Sequence, residues 1–197
     1  MATNNPVNIN TLVLGNNING NKIIAKALEY LGVVESPALS KTGPDIDRWN
    51  SFFGQSAVDW GVAFAASMYD EANIWDMGIA DPSVKIMYNR AKELNRISKT
   101  AYAGCFVIYG ESDDEGNLVS GYGCDLFVRW QHPENYIMTT ISGFENIGSP
   151  VTNRGVRLVC RNALYPVASD PSIKSWFIVP RAISLRESSG ANGNGTD

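Results

Sequence analysis

The sequence predicts an α+β domain, with N-terminal helices packed on a C-terminal antiparallel sheet of about five to six strands. Three observations carry that prediction. Between residue 21 and about residue 95, apolar residues recur at helical spacing. After residue 100 the pattern changes to short runs rich in β-branched and aromatic residues. Turn clusters separate those runs, which is the order of an α+β chain.

The first helix is predicted from Asn21, where "NKIIAKALEYLGV" places Ile23, Ile24, Ala27, Leu28 and Leu31 on one face before Gly32. "ESPALSKTGPD" reads as a loop broken by Pro37 and Pro44. "IDRWNSFFG" is a short helix, and "WGVAFAASMY" opens a buried one running from about Trp60 to Asn73. A further helix starts at Asp81-Pro82 and covers "DPSVKIMYNRAKELN". The predicted strands are "GCFVIYGES", "GCDLFVRWQ", "NYIMTTISGFE", "VRLVCRNAL" and "SWFIVPR". The "ESDDEGN" between the first two is a hairpin turn; its carboxylates lack the spacing of a calcium loop. Residues 1–20, Asn-rich around the apolar island "TLVL", read as an extended arm. Residues 21–185 form one domain, and residues 186–197 a disordered tail.

Composition narrows the functions. A net charge of −4 lacks the basic face that nucleic acid or an anionic membrane attracts. No apolar run is long enough to insert through a bilayer, and the N-terminus carries no signal-peptide pattern. Cys105, Cys124 and Cys160 form neither a disulfide framework nor a zinc spacing, and read as small buried residues. The single histidine, His132, sits beside Pro133 in an expected surface turn and excludes sites built on several imidazoles. No metal and no cofactor is expected.

These elements stand in an order that resembles the papain-like CHAP and NlpC/P60 superfamily of peptidoglycan amidases, in particular a phage-associated branch. "AKALEYLGVVESP" is similar to the opening helix, and "DWGVAFAASM" to the helix that begins with the nucleophilic cysteine. "AYAGCFVIYG" is similar to the first core strand, "GYGCDLFVRW" to the histidine strand, "YIMTTISGFEN" to the strand of the third polar group, and "SWFIVPR" to the closing strand. The resemblance spans about Asn21 to Arg181.

That chemistry needs a thiolate at a helix N-terminus and an imidazole held by a polar group. Here the nucleophile position is Gly61, and the histidine position falls on Cys124, or on Gly123 with a one-residue shift. Only the third position keeps its character, as Glu145 or Asn146. Ser56 and Ser67 lie near Gly61 but bring no imidazole.

The resemblance therefore implies a catalytically inactive relative kept as a structural or interaction protein. Its expected partners are other protein subunits, with a phage particle (tail or neck) as the setting, after synthesis in the host cytoplasm. Trp49, Phe52 and Trp75 are candidate docking aromatics, with core packing as the alternative. A second reading is a peptidoglycan-binding module whose cleft is lined by Trp60, Tyr122, Trp130 and Glu145. A third is an active hydrolase using Cys124. An open cleft over Gly61 and Cys124 favours a binder or an enzyme, and a filled one favours a purely structural subunit.

Overall fold

The computed structural model describes residues 17–74, 78–148, 150–164 and 172–183. The "TLVL" island, Trp75 and the 186–197 segment lie outside the described residues. Four helices, α1 (Ile18–Glu29), α2 (Pro44–Ser51), α3 (Gly61–Glu71) and α4 (Val84–Glu93), precede nearly all of the sheet. The strands are β1 (Ile97–Ser98), β2 (Phe106–Ser112), β3 (Leu118–His132), β4 (Ile137–Ile147), β5 (Asn153–Asn162) and β6 (Ile173–Ile178). They form a six-stranded sheet in the order β1-β6-β2-β3-β4-β5, every pair antiparallel. The α+β class is as expected.

Several boundaries move, each for a local reason. Helix α1 starts three residues early because the Asn17 side chain caps it, accepting from the Gly20 N–H at 2.8 Å. The expected arm therefore ends at that cap, and Asn19 Nδ2 donates to the Ala182 carbonyl at 2.8 Å, tying the two ends of the described chain together. Pro44 opens α2 rather than ending a loop, since a first-turn position needs no N–H. The cap of α4 is Ser83, not Asp81-Pro82; Asp81 instead accepts from the Ser83 N–H at 2.9 Å. Strand β1 has two residues, too few for any periodic signal.

Helix α3 is the centre of the packing. Every residue from Gly61 to Tyr69 is buried, against α1 and α2 on one side and β3 and β4 on the other. Trp49, Trp60, Phe64, Tyr30 and Phe144 form a continuous set of ring contacts with centroids 5.0–5.7 Å apart. Trp49 is completely buried there and is core, not a docking aromatic. Phe52 is partly exposed and packs edge-on against Phe53. Gly143 lets α3 lie this close: a Cβ there would stand 2.6 Å from Phe64.

Of the cysteines, Cys105 and Cys124 are buried, but Cys160 is exposed. It lies on β5, at an edge of the sheet, where only Gly155 and Val156 are buried.

Candidate functional site

A groove of about 650 Å³ opens where the N-terminus of α3 meets β3, β4 and the first turn of α4. Gly61, Cys124, Glu145 and Asn146, far apart in sequence, all line it, as does Tyr122. Gly61 is packed: a Cβ there would meet the Cys124 carbonyl at 3.3 Å and Phe144 Cβ at 3.5 Å. The close non-adjacent neighbours are thus the β3 backbone and Phe144. The first N–H groups of α3 have no intrahelical acceptor, and Trp60 at the cap position makes no side-chain capping bond.

Other expected cleft residues stand elsewhere. Trp60 is fully buried behind the groove, its Nε1–H donating to Glu35 Oε1 at 3.0 Å. Trp130 is six residues along β3 from Cys124, about 20 Å on an extended strand, and packs against Phe127 and Phe177. Tyr122 is exposed at the rim and donates its hydroxyl to Glu111. His132 ends β3, exposed, with Nδ1 3.4 Å from Glu134 Oε1. Ser67 is buried within α3, and Ser56 is exposed before it.

The thiol at Cys124 is 3% exposed, and burial, then the nearby Asp125 charge, push its pKa well above the ordinary value. It stays protonated at neutral pH and is a poor nucleophile. Cys105, completely buried, is pushed up to about 12 by desolvation.

Glu145 was expected from the sequence, but its charged partners in the groove, Asp125 and Arg161, were missed by sequence reasoning. Asp125 is 2% exposed. Its Oδ2 accepts from the Tyr109 hydroxyl at 2.8 Å, the Thr140 hydroxyl at 2.7 Å and Arg161 Nε at 2.9 Å. Arg161 also donates through NH2 to Glu145 and lies over the Tyr109 ring, 5.2 Å from its centroid. Burial works against the Arg161 charge, but Asp125 first, then Tyr109 and Glu145, more than offset it and raise its pKa. Burial and the Asp125 charge raise Tyr109 well above the ordinary phenol value, so it remains a donor. A register shift between Ser142 and Glu145 in the β4–β5 pairing re-aims the end of β4 and sets Glu145 against Arg161. The available signal was an aspartate inside the apolar run "GCDLFV", since a charge in a core strand requires a partner.

Among the described residues, no group of three or more His, Cys, Asp and Glu side chains is placed to hold a metal ion. Among them, too, no helix is long and apolar enough to cross a membrane. No family model, no curated protein and no solved structure matches this chain.

Proposed function

We propose that this chain is a papain-like domain of the cell-wall-amidase type that no longer cuts, retained as an interaction protein that acts through its groove. The observation that carries the reading is the meeting of Gly61, at the N-terminus of α3, with Cys124 on β3 in one groove. By the sequence resemblance, those positions correspond to the ones where the resembled enzymes carry thiolate and imidazole. Here they offer a hydrogen atom and a protonated, buried thiol. The chain's one imidazole, His132, is eight residues along β3 from Cys124, about 26 Å on an extended strand. This argues against hydrolysis through Cys124.

The groove's openness favours a bound ligand over a purely structural filling. Peptidoglycan is the ligand we infer, by resemblance to the amidases. The setting we propose is a phage particle, in tail or neck, with other virion subunits as protein partners.

The test is muropeptide release and co-sedimentation with purified sacculi, for the wild type and for a Gly61→Cys, Cys124→His double variant. The wild type is expected to release nothing and to sediment with the sacculi. Muropeptide release by the wild type would overturn the inactive reading and make Cys124 the first residue to replace. Failure to sediment would remove peptidoglycan as the ligand.

A further inference from the structure

Asp125 uses only half of its carboxylate within the protein. All three donors reach Oδ2, and no described residue donates to Oδ1. Asp125 nevertheless lines the groove while being 2% exposed. Glu145 repeats the pattern: Oε2 meets Arg161, and Oε1 takes no donor among the described residues. On the groove floor two carboxylates share one guanidinium, which leaves a net negative charge in a largely desolvated place. Neither oxygen is among the fully enclosed, unpartnered atoms of the interior; each is accessible from the groove, where a cationic donor forms a charge-assisted hydrogen bond.

We propose that the groove takes a peptide through a primary ammonium group, held between Asp125 Oδ1 and Glu145 Oε1. The peptide's carbonyls accept from the uncapped N–H groups at the start of α3, where Gly61 and Val62 line the groove. An ammonium suits this place better than a second guanidinium. Its three donors form a compact point charge, whereas a planar fork would compete with Arg161 for the same oxygens. Tyr109 and Thr140 position Asp125; they donate to Oδ2 and leave the ligand side of the carboxylate clear.

This inference rests on the groove being a binding site, and the experiment separates it from the cell-wall reading. The probe is an N-acetylated Ala-Lys-Ala amide, whose single charge is the lysine ammonium, compared with its Nε-acetyl-lysine counterpart. Backbone amide shifts of Gly61, Val62 and Asp125 are followed by NMR titration. The expected result is binding of the first peptide at least about tenfold tighter than the second, the scale of one charge-assisted hydrogen bond. Glu145→Gln should lose a similar factor; Glu145 is partly exposed, so this variant does not depend on Asp125→Asn folding. Equal affinity of the two peptides, or no shift with either, overturns the ammonium site whatever the sacculi do. A selective shift without sedimentation on sacculi supports the site and removes only the cell wall as its source.

Discussion

Two buried polar clusters flank α3 and solve the same problem in opposite ways. On the groove side, Asp125, Arg161, Glu145, Tyr109 and Thr140 form one connected network, with two charges nearly out of water. On the core side, Glu35 holds the Trp60 indole N–H through Oε1, and its Oε2 has no partner among the described residues. Trp49 Nε1 and both side-chain polar atoms of Asn50 are likewise buried and unpartnered among them. The first cluster is specified by charge and geometry. The second is held by the rings around it, and its polar atoms cost stability rather than supply it. Function is expected where polar groups are organised toward an opening, not where they are merely enclosed.

The sharpest way to break this comparison is Arg161→Met. It strands Asp125 as a buried charge and should cost about 3–5 kcal/mol, measured by urea unfolding at pH 7. An Asp125→Asn, Arg161→Met double variant should recover a substantial part of that loss. A cost near zero for the single variant would mean the network is solvated and does not specify the groove.

Alkaline pH tests the neutral half of the same interior. Cys105 and Cys124 are buried without a cation beside them, and their folded pKa values are raised. Their contribution is therefore complete below the ordinary thiol value of 9.0 and is lost as pH rises above it. For Cys105 the loss continues until its folded value of about 12. Cys105 should remove about 1.4 kcal/mol per pH unit above 9.0, and Cys124 adds to the loss in the same direction. Urea unfolding between pH 8 and 11, for the wild type and a Cys105→Ala, Cys124→Ala variant, reads this directly. The variant should give the flatter curve. Tyr109, also raised, adds to the decline at higher pH in both proteins.

Tyr109→Phe is a smaller perturbation of the network. It removes one of three donors to Asp125 Oδ2 while keeping the ring beneath Arg161. The expected cost is about 1 kcal/mol, with groove binding of an amine weakened less than by Glu145→Gln. A larger effect on binding than on stability would make Tyr109 a ligand contact rather than a positioning residue.

The sequence made the architecture readable because periodicity reports burial. The unbroken apolar content of "GVAFAASMY" becomes a helix buried from Gly61 to Tyr69, and the run of β-branched and aromatic residues in "CFVIYGES" becomes β2, buried from Phe106 to Gly110. The placement of Gly61, Cys124 and Glu145 in one groove came from a resemblance, not from periodicity. What stayed hidden depends on side chains meeting across the sheet. Asp125 and Arg161 are 36 residues apart, on strands that do not pair with each other. Nothing local distinguishes Arg161 from Arg154 or Arg157 on the same strand. Trp60 and Trp130 looked alike as cleft aromatics because an aromatic residue carries no sign of which side of a core it fills.

The smallest expected change is the most discriminating for the core cluster. Asn50 is completely buried at the end of α2, next to Trp49, and neither its Oδ1 nor its Nδ2 finds a partner among the described residues. Its backbone carbonyl still accepts from the Phe53 and Gln55 N–H groups, and substitution leaves those bonds intact. Asn50→Leu replaces an amide with a side chain of similar size that needs no hydrogen bond. It should leave stability within about 1 kcal/mol of the wild type, on the stabilising side, because replacing an unsatisfied polar group by an apolar one removes a desolvation cost. Thermal unfolding at pH 7 checks it. A loss of about 3 kcal/mol or more would mean that Asn50 is satisfied by buried water, and the core cluster would then be a second organised network.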